Sequence, residues 1–319
     1  MDSTLAQKFH DQIVSGARLC DYTTFRLGGA CRGLIACQIP EQLELAVKSL
    51  ADARLPFILI GGGSNLVVSD QGVDCYVLRY VTDKPLLERE GNDIIVSGST
   101  SLDALALFSI EQGLAGLEYT SGIPGTVGGA VVGNAGAFGK QVGDVLKSVT
   151  LISKTGTRSK VGPEALGFTY RHSNLKERDE IVVAARFALQ PGEREKFLEE
   201  RAKILAIRHE KHPDLATHPC AGSFFRNVEP TSKAEKRQAA GWFLEQAGGK
   251  DLKIGGALIF EKHANIIVKG PQCTADDVYQ LSCKMQQIVK EKFHFDLVRE
   301  VRFVGKINSL PKNPSEMFW

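Results

Sequence analysis

The chain has 319 residues, 43% of them hydrophobic, with 39 Lys and Arg set against 37 Asp and Glu for a formal net charge of +2. That length and apolar content allow a substantial core and two or three structural units. Because the charges are spread evenly, no basic block offers an electrostatic footprint for nucleic acid or a membrane surface, and both are excluded as partners. No apolar run reaches the roughly 18 residues of a spanning helix. The start, "MDSTLAQKFHDQ", lacks a basic region followed by an apolar stretch, so a cytoplasmic location is expected. The seven cysteines are odd in number, scattered and never in a C-x-x-C pair, which predicts reduced thiols packed as small hydrophobes.

In chain order, "EQLELAVKSLADARL" places Leu43, Val47 and Leu50 at helical spacing, and Pro56 ends that helix before the strand "FILI". The strand delivers a glycine loop, "GGGSN", that continues into the β-like Leu66-Val67. "GVDCYVLRY" and "DIIVSGS" read as further strands, and "SLDALALFSIEQGLAG" as a helix with Ser101 as its N-cap and Gly113 near its end. A second glycine loop follows, from Gly116 to Gly139: "GLEYTSGIPGTVGGAVVGNAGAFG". "SVTLISKTG" and "EIVVAARFALQ" are strands flanking a polar stretch. A long charged helix, Gly192 to Lys211, turns Phe197, Ile204 and Leu205 inward and stops at Pro213. Beyond it come "SFFRN", the helical "SKAEKRQAAGWFLEQAG", the extended "GALIFEKHANIIVKG", a helix opening at Thr274 with Asp277 as capping-box partner, and the strand "LVREVRFVG". The tail "KINSLPKNPSEMFW" is polar and gives Trp319 no role. A phosphate loop followed by a strand rather than a helix disfavours a single doubly wound sheet.

Glycine lacks Cβ and lets consecutive N–H groups converge on phosphate oxygens. One glycine cluster is more often a tight turn. Two in one chain point to a diphosphate-bearing cofactor held from two sides.

Other residues are ambiguous by themselves. Ser223 follows a glycine and precedes two aromatics, which suits a weak acid in a dry pocket or simply a turn hydroxyl; with Phe225 two residues on, it is no hydrolase elbow. Tyr170-Arg171 offers a phenol and a fork for a carboxylate, or a surface ion pair. Glu300 sits in an imperfectly alternating strand, where a solvated glutamate is the simpler account. His209, His212, His218 and Cys220 could bind zinc, yet two prolines and the absence of a second thiol pair favour four unrelated polar side chains and no metal.

Taken in order, "YTTFRLGG", "GGGSN", "GIPGTVGGAVVGNAGAFG", "YRHS", "AGSFFRN", "WFLEQAGGKDLKIGGA", "KHANIIV" and "EVRFVG" resemble the bacterial UDP-N-acetylenolpyruvoylglucosamine reductases, at that family's approximate spacings from Asp21 to the end of the last motif. Nearly the whole chain takes part. The resemblance implies an α+β architecture: a vanillyl-alcohol-oxidase-like FAD-binding fold in two lobes, residues 1–78 and 79–206, a C-terminal α+β substrate-binding domain over 207–305, and a tail over 306–319. The short interval between Tyr170 and Ser223 matches the compact second type, without an inserted substrate-covering element.

By the same resemblance, Gly61, Gly62, Gly63, Ser64 and Asn65 would cradle the FAD diphosphate. Gly122, Ile123, Pro124, Gly125, Gly128, Gly129, Asn134, Gly136 and Ala137 would wrap the flavin side. Ser223 would be the proton donor, with Arg171 and Glu300 polarising the substrate carboxylate. Tyr170, Arg226, Asn227, Lys262, His263 and Asn265 would contact the UDP-sugar substrate. The family usually has Lys at position 226 and Pro at 228, where this chain has Arg226 and Val228. The implied activity is NADPH-dependent reduction of UDP-N-acetylglucosamine enolpyruvate with noncovalent FAD and no obligatory protein partner. The alternatives are a flavin oxidase or dehydrogenase acting on an alcohol or sugar, and a non-catalytic flavin or nucleotide-sugar binder.

Overall fold

The structure, a computed structural model, describes residues 3–230 and 236–309. Contacts divide the chain into two units: one of Met1–Gly16, Arg32–Gly62 and Cys75–Arg208, the other of Ala17–Cys31, Gly63–Asp74 and His209–Trp319. This differs from the consecutive blocks expected from sequence. The contact division falls after Arg208, and two short N-terminal segments, Ala17–Cys31 and Gly63–Asp74, group with the C-terminal part. Long-range pairing is the reason: the short strand Leu66–Val68 lies parallel to Arg302–Val304. The polar tail from residue 310 onward, with Trp319, and the first residues of the helix expected from Ser232 lie outside the described residues.

The first unit begins with helix α1 (Ser3–Lys8) and contains two sheets. One runs in the order Ile13–Ser15, Gly33–Cys37, Tyr76–Tyr80, Phe57–Ile60; the last three strands are mutually parallel, and Ile13–Ser15 is antiparallel to its neighbour. Helix α2 (Pro40–Asp52) links two of these strands. Pro40 supplies the preset φ of a first turn, and Gln42 Oε1 accepts from the N–H groups of Gln38 at 2.7 Å and Ile39 at 3.4 Å. Its Leu43, Ala46, Val47 and Leu50 form one apolar stripe, buried with Ile35, Leu78 and Tyr80.

The other sheet is antiparallel: Arg158–Val161, Leu146–Ser153, Glu180–Ala188, Asp93–Ser97, Leu87–Glu90. Helix α3 (Leu102–Glu111) has Ser101 as N-cap, its side chain accepting from Ala104 N at 3.1 Å, as expected. Helix α4 (Val127–Gly133) grows directly out of the second glycine loop, and α5 (Arg194–Lys211) is the long charged helix. Of the three side chains expected inward on α5, Ile204 is buried, whereas Phe197 and Leu205 are half-buried.

The second unit is built on an antiparallel sheet in the order Cys220–Ser223, His263–Lys269, Ala257–Phe260, Lys253–Ile254. Helices α6 (Ala240–Gln246) and α7 (Ala275–Phe293) pack with it around Phe224, Phe225, Phe243, Leu281, Met285 and Phe303. The expected helix over Ser232–Gly248 is shorter than its composition suggests, because Gln238 pairs with Val228 and Ala239 is extended, so α6 starts at Ala240. The capping box of α7 forms as read: Thr274 Oγ1 accepts from Asp277 N at 3.1 Å and Asp277 Oδ2 from Thr274 N at 2.9 Å. Of "LVREVRFVG", only Arg302–Val304 is a strand.

One mostly parallel sheet and two antiparallel sheets, with helices packed on them, make the described residues α+β rather than a single doubly wound sheet. No described helix is long and apolar enough to cross a membrane. Cys31, Cys37, Cys220 and Cys273 are buried free thiols, and burial pushes Cys37 and Cys273 up to about 12, which makes them inert.

Candidate active site

In the first unit the strand Phe57–Ile60 ends in Gly61-Gly62, and this turn abuts the second glycine loop. A Cβ on Gly61 would lie 2.5 Å from Thr126 Oγ1, and one on Gly62 would lie 3.2 Å from Gly125 Cα. The glycines therefore let two backbones touch, which is a structural demand independent of any ligand. The N–H groups of Gly62 and Gly125 nevertheless find no acceptor among the described residues. Gly63, with φ +62, belongs to the second unit, where a Cβ would meet the Tyr22 carbonyl at 2.4 Å.

Not every glycine of the second loop has a free N–H. Gly128 N donates to Gly98 O at 2.9 Å and Gly129 N to the N-cap hydroxyl of Thr126 at 3.3 Å, so neither is left for an anion. Gly136 sits in a tight hairpin where a Cβ would meet Lys140 O at 2.5 Å, and half-buried Ala137 pairs with Lys140 in it. Gly122, φ +70, donates to Asp103 Oδ1 at 2.7 Å. Buried beside it, Tyr119 Oη and Ser121 Oγ have no partner among the described residues. Ile123 and Pro124 complete the turn, Ile123 N bonding to Thr120 O at 3.0 Å.

Asn134 is buried and left-handed at φ 44, and its amide bonds within the fold: Nδ2 donates to Gln141 Oε1 at 2.9 Å and to Thr169 O at 2.8 Å, while Oδ1 accepts from Gly143 N at 2.9 Å. The Thr169 bond ties the glycine loop to the turn that carries Arg171. In that turn Thr169 and His172 exchange backbone hydrogen bonds of 3.1 and 3.2 Å, which leaves Tyr170-Arg171 at the tip. Arg171 has φ +58, a strained value for an arginine, and Lys176 Nζ donates to its carbonyl at 2.7 Å. Its guanidinium carbon lies 5.8 Å from the Tyr170 ring centroid.

In the second unit Ser223 ends its strand just after Gly222, φ +76, and is half-buried. The segment Ser223–Arg226 runs antiparallel to Val298–Glu300: Arg226 N donates to Val298 O at 2.9 Å and Glu300 N to Phe224 O at 2.8 Å. The fold thus brings Ser223 and Glu300, far apart in sequence, onto adjoining backbone. Asn65 of the first glycine loop joins them, its Nδ2 donating to Glu300 O at 3.0 Å and its carbonyl accepting from Arg302 N at 3.0 Å. Ser64 beside it is half-buried.

Asn265 Nδ2 donates to Phe225 O at 2.8 Å and its Oδ1 accepts from Phe225 N at 2.9 Å, so its amide holds the Ser223 segment. His263 Nδ1 accepts from Asn265 N at 3.2 Å, and burial, joined by the Lys211 charge, holds its imidazole below the usual range. Asn227 Oδ1 accepts from Ala240 N at 3.3 Å. Lys262 is exposed, and Arg226 is half-buried with a buried Nε that has no partner among the described residues. No three His, Cys, Asp or Glu gather as a metal site among the described residues; His212 stacks near His263 at 5.7 Å and His218 bonds Thr217 at 2.9 Å. Sequence reading passed over Tyr119, Ser121, Asp103 and Arg201. Only Thr126, directly before the Val-Gly-Gly run that opens α4, carried a legible signal, that of an N-cap.

Residues 31–162 match the FAD binding domain family, and residues 213–304 match the C-terminal domain of UDP-N-acetylenolpyruvoylglucosamine reductase. The chain is 36% identical over 297 residues to the UDP-N-acetylenolpyruvoylglucosamine reductase of Gloeobacter violaceus, covering 93% of this chain and 97% of that one. With the enzyme of the same name from Carboxydothermus hydrogenoformans it shares 34% over 308 residues, covering 95% and 97%. The crystal structure of UDP-N-acetylenolpyruvylglucosamine reductase (MurB) from Thermus caldophilus superposes with a TM-score of 0.74 at 32% identity, over 92% of this chain and 98% of that one. With its glycine loops inside the FAD-binding match, and Ser223 and Glu300 inside the C-terminal match, the chain belongs to the UDP-N-acetylenolpyruvoylglucosamine reductase family of FAD-dependent oxidoreductases.

Proposed function

We propose that this chain reduces the enolpyruvyl ether of UDP-N-acetylglucosamine enolpyruvate to UDP-N-acetylmuramate, a step of peptidoglycan precursor synthesis. NADPH is the reductant, FAD is held noncovalently, and the reaction takes place in the cytoplasm without an obligatory protein partner. The observation that carries this reading is the 2.8 Å bond from Glu300 N to Phe224 O, which sets a hydroxyl and a carboxylate on adjoining backbone at the end of a strand. Arg171, held at φ +58, is the cation of this reading.

The residues present fit FAD. The N–H groups of Gly62 and Gly125 and the buried hydroxyls of Tyr119 and Ser121, which have no partner among the described residues, can all donate, which suits an acceptor-rich diphosphate and ribityl chain. Neither glycine loop contains a His or Cys for covalent attachment. Bound FAD supplies the hydride relay from nicotinamide to the substrate's methylene carbon. Hydride addition there pushes an electron pair onto the adjacent carbon and into the carboxylate. The Arg171 fork binds that carboxylate and stabilises the growing charge, with Glu300 polarising the same group. Ser223 Oγ–H then donates the proton that completes reduction of the neighbouring carbon.

Stopped-flow spectroscopy of the purified, NADPH-reduced protein tests this reading. Rapid anaerobic reoxidation by the enolpyruvyl substrate, with slow reoxidation by oxygen, is expected. Fast reoxidation by oxygen alone would mark a flavin oxidase, and a protein that neither contains nor takes up flavin would falsify the proposal.

A further inference from the structure

The turn from Gly122 to Gly125 is fixed at both ends to the start of helix α3. Gly122 N donates to Asp103 Oδ1 at 2.7 Å, and the Gly125 carbonyl accepts from Leu102 N at 3.0 Å. Asp103 is the second residue of α3, where a carboxylate also suits the positive end of the helix. Its Oδ1 takes a further bond from Arg201 Nη1 at 2.7 Å, and its Oδ2 one from Arg201 Nη2 at 2.9 Å. Arg201 stands on α5 with its side chain only 13% exposed. A planar fork on a carboxylate leaves neither group free to rotate, so the Asp103 oxygen is held where the Gly122 N–H meets it.

The same face of α5 packs on the turn. Leu205 and Arg208 follow Arg201 at helical spacing, and a Cβ on Gly122 would lie 2.8 Å from Leu205 Cδ2 and 3.0 Å from Arg208 Cδ. Close by in the chain, the buried Tyr119 Oη and Ser121 Oγ have no partner among the described residues, and Gly125 N finds no acceptor there. The donors that suit FAD thus belong to a segment whose position Asp103 and Arg201 set.

We propose that Asp103 and Arg201 are positioning residues for the flavin: Arg201 orients the Asp103 carboxylate, and Asp103 holds the Gly122 N–H so that the turn keeps its donors in place before FAD arrives. This rests on the reading of the turn as part of the FAD site. A segment already ordered loses less freedom on binding, and the gain appears as affinity. The two side chains act in series, because Arg201 influences the Gly122 N–H through Asp103.

The test is equilibrium dialysis of FAD against the full chain stripped of flavin, with hydrogen exchange of the same flavin-free protein. Asp103→Ala should weaken FAD binding by ~10–100-fold, the scale of a lost hydrogen bond to a charged group. Asp103→Asn, which keeps an oxygen for Gly122 N and Arg201 Nη1, should fall between Asp103→Ala and the parent. Arg201→Gln should weaken binding less than Asp103→Ala does, and in the Asp103→Ala background it should add no more than about twofold. Exchange should quicken in the peptide covering residues 119–125 of Asp103→Ala and stay parental in the peptide covering 40–52 of α2, a contrast that a merely stabilising ion pair would not produce. FAD affinity of Asp103→Ala within about threefold of the parent's, or effects of the two substitutions that multiply, would overturn the proposal. So would exchange that quickens in α2 as much as in the turn. A parent protein that takes up no FAD, while Asp103→Ala still quickens exchange at the turn, overturns the underlying cofactor site instead.

Discussion

Gly125 has φ +121, a backbone region that side chains with a Cβ rarely enter, and its Cα faces Gly62 across a gap already closed to 3.2 Å for any added Cβ there. Gly125→Val is expected to lose FAD retention, because the branched side chain forces the loop to move and displaces an unpaired N–H from its place. Equilibrium dialysis against FAD checks this, and binding as tight as the parent's would remove the loop from the cofactor site. Ser223→Ala deletes a donor and no charge, so NADPH should still bleach the flavin at close to the parental rate while reoxidation by the enolpyruvyl substrate slows by ~10²–10⁴-fold. Equal slowing of both half-reactions would point to lost cofactor or altered folding rather than a lost proton. His263 gives a stability prediction. Burial holds it neutral in the fold below its ordinary 6.5, whereas the unfolded chain takes up the proton near 6.5, so stability falls as pH drops through that value toward the lowered folded pKa. Denaturant titrations at pH 7.5 and 5 should show a smaller difference for His263→Gln than for the parent; an unchanged difference would assign the pH dependence elsewhere.

At the scale of elements, the Ser223 segment keeps its geometry through a clamp rather than through regular pairing, since its strand shifts register between Cys220 and Ser223. Asn265 closes the clamp on Phe225. Asn265→Ala strands a buried N–H and a buried carbonyl, each costing about 1–3 kcal/mol. It should lower the midpoint of unfolding and slow substrate reoxidation together, whereas Asn265→Ala with parental stability would show that water or a neighbour replaces the amide. For comparison, Thr274→Ala removes the N-cap of α7 with no path to the site. A loss of about 1 kcal/mol in chemical denaturation with unaltered turnover is expected. The elements differ in how openly the sequence announces them. The amphipathic stripe of α2, the Ser101 cap of α3 and the Thr274–Asp277 box of α7 are local patterns and were readable as such. The start of α6 was not, because the pairing of Gln238 with Val228 overrides the helical composition before Ala240.

For the whole molecule, the second unit draws on chain from two N-terminal segments. Phe25, Leu27 and Val67 lie in its core beside Phe224 and Phe303, and Leu66–Val68 pairs with Arg302–Val304. A fragment of residues 209–319 therefore exposes apolar surface and an unpaired strand edge. It should bind a hydrophobic dye and unfold without a cooperative transition; a sharp transition with dispersed amide resonances would show that the C-terminal unit folds without those segments.

The motifs, read in order, pointed to the family and the two glycine loops and singled out Arg171, Ser223 and Glu300 as candidates, since each depends on residue types at short spacing that survive in a linear string. The resemblance those motifs carry implied the α+β class, and the even spread of charge gave no sign of a nucleic-acid or membrane surface. What a given glycine or amide does was decided only by the tertiary structure. Gly128 and Gly129 look like ligand contacts in the motif, yet Gly128 N–H bonds to the Gly98 carbonyl and Gly129 N–H to the Thr126 hydroxyl, while the Asn134 and Asn265 amides bond to backbone at Thr169 and Phe225. Arg208 looks like one charge among many on a solvated helix, yet in the fold its stem packs against Gly122. Hydrogen-bond capacity and charge compensation are totals over everything within a few ångströms, and only the folded chain fixes what those neighbours are.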